Sequence, residues 1–137
     1  MQISVVAAII FYQNKLLITR RQKSGNQDLS LKYEFPGGKV KKNERLKEAL
    51  KRELKEELDL DLEIEDFKKF FSNNFKYSNT LVKLSFFTCK IKDLKIKLNV
   101  HSEYKLIRVN QLRTVKWLEA DYPVINQLEN LHLKGNN

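Results

Sequence analysis

Three glutamates lie close together within a stretch that favours a helix. Glu53, Glu56 and Glu57 fall in the segment from Asn43 to Leu58, which holds mostly strong helix formers and no helix breaker. Carboxylates three and four residues apart are neighbours on a helix and repel one another. A hard divalent cation would neutralise them, and Mg²⁺ binds carboxylate oxygens together with substrate phosphates. The spacing therefore indicates a metal site that acts on a phosphate group.

The apolar residues of this segment predict which side of the helix is buried. They recur with helical spacing and form one stripe: Leu46, Ala49, Leu50, Leu54 and Leu58. The three glutamates continue that buried sector, and the opposite side carries Glu48, Lys51, Arg52 and Lys55. Partly buried carboxylates are unfavourable without a neutralising partner. This favours metal binding over a solvated acidic face, although residue type alone does not choose among cations. Asn43 is the predicted N-cap.

The glutamates belong to a longer pattern that begins at a Gly pair. Gly38 is followed by five residues, Glu44, seven residues and then the run Arg52-Glu-Leu-Lys-Glu-Glu-Leu-Asp-Leu60. This pattern resembles the Nudix box, here residues 38–60, with Asp59 where the family has Gly. In the family that Gly ends the helix in a left-handed conformation, which Asp tolerates better than most residues.

The resemblance implies a reaction and its metal ligands. Nudix hydrolases cleave a nucleoside diphosphate linked to another group, by attack of water at phosphorus with Mg²⁺ or Mn²⁺ bound. Carried onto this chain, the implied metal ligands are Glu53, Glu56 and Glu57, with a backbone carbonyl from Gly38 or Gly37.

The resemblance also gives roles to other charged residues around the box. Arg52 is expected to orient a box carboxylate, and Lys39 to contact a phosphate. Glu44 lies at the start of the helix, where its charge suits the helix dipole, and either a structural or a metal-binding role is open to it.

The general base is less clearly indicated. Family members often add a Glu from a loop in the second half of the chain, and the register against residues 106–112 puts that position near Val100. A valine cannot serve. Glu103 or His101 could substitute, a box glutamate could act instead, and Glu103 could equally be an ordinary strand residue.

Three outer segments extend the resemblance to the MutT branch of the family: 18–21, 33–39 and 117–123. By that resemblance Arg21, Phe35 and Asp121 surround the nucleotide. The expected substrate is a nucleoside triphosphate, with 8-oxo-dGTP preferred, cleaved to monophosphate and pyrophosphate. CTP or dCTP and, less favoured, ADP-ribose are the alternatives.

Composition sets the broader expectations. The 137 residues suit a single domain, and the net charge of +9 would attract anions. An inactive nucleic-acid-binding module is the rival hypothesis, but no nucleic-acid motif is present and all three box glutamates are. Cys89 is the only cysteine, which favours a reducing, cytoplasmic location. The apolar run 5–12 is too short to span a membrane, and a monomer or homodimer is expected.

The remaining pattern predicts an α+β fold. Strands are predicted at 3–12, 16–21, 32–35, 81–91 and 104–109, with one more within 62–77 and an ambiguous edge strand at 92–98. A second helix is predicted from Asp121, its cap, to Leu133, with this buried side: Val124, Ile125, Leu128, Leu131 and, as a further candidate, Leu133. The box implies an α/β/α sandwich, a mixed sheet with the box helix and the C-terminal helix on its two sides.

Overall fold

A mixed sheet forms the centre of the chain, and the computed structural model describes residues 1–135. Within that range the strands are β1 (Gln2–Tyr12), β2 (Lys15–Arg20), β3 (Tyr33–Glu34), β4 (Gly37–Lys39), β5 (Lys68–Tyr77), β6 (Thr80–Ile91) and β7 (Glu103–Ile107). The α-helices are α1 (Leu46–Leu58) and α2 (Tyr122–Gly135). Three short 3₁₀ turns lie at Ile64–Asp66, Val109–Thr114 and Glu119–Asp121.

Strand β1 is the middle of the sheet. The strand order is β3-β2-β1-β6-β5, with β4 also paired to β1 and β7 to β2. Strand β1 runs parallel to β6 and antiparallel to β2 and β4. Residues 6–10 of β1 are all buried, because both faces of this strand are covered by a helix layer.

Successive residues of β1 point to opposite faces of the sheet and so enter two separate cores. Ala7 and Ile9 pack in the cluster that includes Val124 and Ile125 of α2. Val6, Ala8 and Ile10 pack in the cluster that includes these α1 residues: Ala49, Leu50, Leu54 and Leu58. The predicted α+β sandwich, with a helix layer on each face of a mixed sheet, is confirmed.

Helix α1 begins later than predicted and ends where predicted. It starts at Leu46 with Arg45 in the N-cap position. The prediction that Asn43 is the cap is wrong, because Asn43 has φ 66° and forms a left-handed turn ahead of the helix. Asp59 adopts the left-handed conformation, φ 57° and ψ 29°, and its N–H donates to the carbonyls of Leu54 and Lys55. Asp59 therefore ends the helix in the way the family's Gly would.

Two smaller predictions need correction. Residues 92–98 form no strand, and the Lys97 N–H instead donates to the Leu58 carbonyl at 3.0 Å, which ties this segment to the end of α1. Leu131 and Leu133 are 45% and 63% exposed, because α2 continues past Leu128, its last residue in the core cluster. Neither helix within residues 1–135 is long and apolar enough to cross a membrane.

Candidate active site

A cavity of about 480 Å³ opens between the sheet and the segments that follow β2 and precede α2. It is lined by eight of the candidate residues named from the sequence: Arg21, Phe35, Gly37, Gly38, Lys39, Glu57, His101 and Asp121. The apolar part of its wall includes Val82 and Leu84 of β6 and Leu118. The fold therefore brings the end of the box helix and the segment before α2 to one cavity.

The Gly pair lets the β4 backbone lie close to both β1 and α1. A Cβ atom on Gly37 would lie 1.9 Å from the Val6 carbonyl oxygen, which a side chain cannot do without moving the strand. A Cβ atom on Gly38 would lie 2.4 Å from the carboxyl carbon of Glu53. Gly37 therefore requires glycine, because its neighbours are backbone atoms, whereas a Cβ at Gly38 would displace the carboxyl end of the Glu53 side chain.

Glu57 is the box glutamate that enters the cavity. Glu57 is only 9% exposed, and its Oε1 accepts a hydrogen bond from the Gly37 N–H at 3.1 Å. Burial, together with the nearby charges of Glu34 and Glu53, raises the pKa of Glu57 to about 8. Burial and these like charges outweigh the Gly37 hydrogen bond and the charge of Arg21, which lower the pKa, so a bound cation would stabilise the ionised form of Glu57.

Arg52 joins the start of the box to its carboxylates. Its Nε and Nη2 donate to the two carboxylate oxygens of Glu44 at 2.8 and 2.9 Å. Its Nη1 donates to Glu53 at 2.9 Å and to Glu56 at 3.4 Å, and Nη2 also donates to the Lys39 carbonyl at 3.0 Å. Arg52 is thus half-buried among the box residues, although the helix pattern predicted it on the opposite side.

The box residues have the donor types that a hard divalent cation requires. They offer carboxylate oxygens beside the β4 backbone, and the like charges near Glu57 favour a cation. Within residues 1–135, however, no three acidic, His or Cys side chains are gathered as a ligand set. Arg52 donates to Glu53 and also to Glu56, and the Glu56 side chain is 55% exposed. It binds one oxygen of each carboxylate, Oε1 of Glu53 and Oε2 of Glu56, so the other oxygen of each can meet a cation.

Phe35 and Asp121 also line this cavity. The Phe35 ring is fixed against Trp117, with centroids 4.8 Å apart, and meets Phe86 edge to face at 6.1 Å. Asp121 is 4% exposed, and its Oδ2 has no hydrogen-bond partner in the structure. Burial, and secondarily the charge of Glu34, raises the pKa of Asp121 well above its usual range. A buried acid with an unused oxygen is suited to hydrogen bonding with a ligand.

Two cavity residues were not singled out as a pair from the sequence, Glu34 and His101. Glu34 Oε1 accepts from Arg21 Nη1 at 3.2 Å, and Glu34 Oε2 accepts from His101 Nε2 at 2.8 Å. The only signal in the sequence is that Glu34 stands between two aromatic residues of a short strand, which by alternation suggests exposure. The contact with His101 joins positions 67 residues apart and depends on the sheet register.

The structure separates the two substitutes considered for the general base. His101 lines the cavity, as does the half-exposed Val100. Glu103 is not among the lining residues. Its carboxylate instead accepts a hydrogen bond from the Tyr33 hydroxyl, and its Oε1 lies 3.6 Å from Nη1 of Arg20. Glu103 is therefore held within the sheet.

Comparisons with known proteins agree with this geometry. The NUDIX domain family model matches residues 1–128. The solution structure of the Escherichia coli ORF135 protein is 26% identical and covers 96% of this chain and 91% of its own, with a TM-score of 0.82. A MutT structure from work on Aliivibrio salmonicida and Vibrio cholerae is 25% identical and covers 96% of this chain and 99% of its own, with a TM-score of 0.77.

MutT from methicillin-resistant Staphylococcus aureus 252 is 35% identical over 95% of this chain and 97% of its own, with a TM-score of 0.72. No curated protein matches the chain. Because the family model spans most of the sequence and these structures share the whole fold, the chain belongs to the Nudix family, in its MutT-like branch of nucleotide diphosphate hydrolases.

Proposed function

We propose that the chain hydrolyses a (deoxy)nucleoside triphosphate to the monophosphate and pyrophosphate, with 8-oxo-dGTP as its preferred substrate. The observation that carries this proposal is the shared cavity, which is lined both by Glu57 of the box and by Asp121 and Phe35. A nucleotide needs both parts, one for phosphates and one for a base. Removal of 8-oxo-dGTP would keep a damaged nucleotide out of DNA synthesis.

The phosphate part of the cavity would hold a divalent metal, for which Nudix hydrolases generally use ions such as Mg²⁺. We assign the ligands to Glu53, Glu56, Glu57 and the Gly38 carbonyl. When bound, the ion supplies charge neutralisation for phosphate oxygens and activates water. Mn²⁺ would serve in the same way.

Residues of the chain would then orient the substrate around that ion. The Lys39 side chain lines the cavity and is exposed, so its ammonium can reach a phosphate oxygen. Arg52 keeps Glu53 and Glu56 beside the β4 backbone through its hydrogen bonds. Phosphoryl transfer depends mainly on such positioning and on charge stabilisation.

The base part of the cavity supports a guanine-type base. Asp121 offers an oxygen without a partner in a cavity that is also lined by the fixed ring of Phe35. Guanine presents ring and amino N–H groups on one edge, either of which could donate to this oxygen, whereas cytosine presents only its amino group there. Arg21 lies at the cavity wall, where it can contact a phosphate or stack on the base.

The experiment that tests the proposal is hydrolysis of a substrate panel with and without Mg²⁺. The panel contains 8-oxo-dGTP, dGTP, CTP, dCTP and ADP-ribose, and both phosphate and pyrophosphate are measured. Mg²⁺-dependent preference for 8-oxo-dGTP, with pyrophosphate released, supports the proposal. Preference for CTP or dCTP would refute the base assignment, and hydrolysis of none of them would refute the proposed reaction.

A further inference from the structure

A chain of side-chain contacts runs from the interior of the cavity wall to its rim. The His101 side chain is 2% exposed, Glu34 is 14% exposed and Arg21 is 40% exposed. Nε2 of His101 lies 2.8 Å from one oxygen of Glu34, and Nη1 of Arg21 lies 3.2 Å from the other. We call these three residues the His101–Glu34–Arg21 relay.

The relay is held by three neighbouring strands. Arg21 follows β2, Glu34 ends β3, and His101 comes shortly before β7, while β2 pairs with both β3 and β7. The Ser102 N–H donates to the Arg20 carbonyl at 2.8 Å, which fixes the segment carrying His101 against β2. The buried end of the relay is therefore anchored to the sheet.

Glu34 has no freedom to turn without losing a partner. A carboxylate only accepts hydrogen bonds, so the His101 Nε2 atom must be the donor. With one oxygen held by His101, the other is presented to Arg21 in a fixed direction. Arg21 is a long side chain with many rotamers, and such a contact reduces the freedom it would lose on binding a ligand.

We propose that His101 is a positioning residue, which acts through Glu34 to hold Arg21 in the orientation that binds the nucleotide. His101 does not itself have to touch substrate. The effect on nucleotide affinity rests on the proposed function, whereas the effect on Arg21 order does not.

The position of Glu34 explains why this relay matters to the whole cavity. Glu34 lines the cavity together with Glu57 and Asp121, so it belongs to the wall that serves both the metal part and the base part. Arg21 Nη1 lies 3.2 Å from Glu34 Oε1 and is the cation beside the charge of Glu34. An Arg21 side chain released from Glu34 would leave both its nucleotide ligand and the Glu34 carboxylate without that cation.

The first test measures Arg21 order without any nucleotide. In ¹⁵N NMR spectra of the full chain, the guanidinium signals of Arg21 are expected to show restricted rotation in the wild type and in His101→Gln, which keeps an N–H donor near the Nε2 position. In His101→Leu these signals are expected to show free rotation. Unchanged restriction in His101→Leu, with the fold intact by circular dichroism, would overturn the proposal.

The second test separates positioning from a merely structural role. With the nucleotide that the wild type hydrolyses best, His101→Leu is expected to raise KM about tenfold and change kcat less than about twofold, because one charge-assisted contact is lost. His101→Gln is expected to restore the wild-type KM. In an Arg21→Leu background, His101→Leu is expected to have no further effect on KM.

The matched control is His132→Leu, since His132 is the other histidine of the chain and lies exposed on α2. The positioning role would be refuted if His101→Leu lowered kcat and left KM unchanged. It would also be refuted if His101→Leu raised KM equally in the wild-type and Arg21→Leu backgrounds. A wild type that hydrolyses no nucleotide would refute the proposed function, and the NMR comparison would then decide the relay by itself.

Discussion

Arg52 binds both carboxylate oxygens of Glu44, with Nε to Oε2 at 2.8 Å and Nη2 to Oε1 at 2.9 Å. This two-point contact, with a further bond from the Lys41 N–H, lowers the pKa of Glu44 to about 2. Both oxygens of Glu44 are therefore occupied, which favours a structural role for it over metal binding. Arg52 in turn is fixed so that its remaining N–H groups meet Glu53 and Glu56.

Replacement of Arg52 by lysine is expected to weaken metal binding. Lysine keeps the charge, but its single nitrogen cannot bind both oxygens of Glu44 as the guanidinium fork does and reach Glu53 as well, so the box carboxylates lose their fixed positions. Loss of an outer contact of this kind reduces metal affinity by about 10- to 100-fold. Mn²⁺ affinity measured by electron paramagnetic resonance tests this. Arg45→Lys, at a side chain 90% exposed, is the control, and equal affinities in both variants would contradict the role of Arg52.

Replacement of Gly38 by alanine tests the close approach of β4 to the box. The added Cβ atom would lie 2.4 Å from the carboxyl carbon of Glu53, so that carboxylate or the strand must move. We expect kcat/KM to fall by about 100-fold, since small displacements of catalytic groups have effects of this size.

Gly25→Ala is the matched control, because nothing lies within 4 Å of its added Cβ atom. We expect its kcat/KM to stay near that of the wild type. If Gly38→Ala were as active as Gly25→Ala, the Gly38–Glu53 contact would have no part in the reaction.

Glu57 is expected to make the metal-free protein less stable as pH rises. Its pKa is raised from 4.5 to about 8, so between these values the folded chain holds a proton that the unfolded chain has released. The stabilisation is complete below about pH 4.5 and is lost as pH rises through about 8, with a slope of up to about 1.4 kcal/mol per pH unit. Urea unfolding in EDTA measures this slope, which should be shallower in Glu57→Gln. Identical slopes in the wild type and in Glu57→Gln would show that the pKa of Glu57 is not raised.

Replacement of Asp121 by alanine is expected to weaken discrimination among bases rather than to stop hydrolysis. The variant lacks the unpartnered Oδ2, so the ratio of kcat/KM for 8-oxo-dGTP over CTP should fall by about tenfold or more, as one buried contact is lost. Asp121→Asn, which keeps an acceptor and a donor, should retain more of the preference. An unchanged ratio in Asp121→Ala would remove Asp121 from base recognition.

The parts of the site that lie within one helix could be predicted from the sequence. The i, i+3 and i+4 spacing of Glu53, Glu56 and Glu57 follows directly from helix geometry. The exposure of Glu56 could not be predicted, because it depends on which carboxylates Arg52 holds. The predicted start of α1 was also wrong. Asparagine favours both helix caps and left-handed turns, and Asn43 forms such a turn.

The parts that depend on strand register could not be predicted from the sequence. Glu34 meets His101 only because β3 and the segment before β7 lie on the two sides of β2. Residue type gave no indication of this pairing, and the register estimate that pointed to Val100 and offered His101 as a substitute did not place Glu34 beside it. Long-range contacts of this sort come from tertiary packing rather than from local pattern.

The most direct test of the account is pyrophosphate release from 8-oxo-dGTP by Glu57→Gln, compared with wild type at the same Mg²⁺ concentration. Glu48→Gln, on the exposed side of the same helix, is the control. We expect wild type and control to release pyrophosphate and Glu57→Gln to lose activity by about 1,000-fold or more, with its circular dichroism spectrum unchanged. Near-normal turnover by a folded Glu57→Gln would contradict the assignment of Glu57 as a metal ligand.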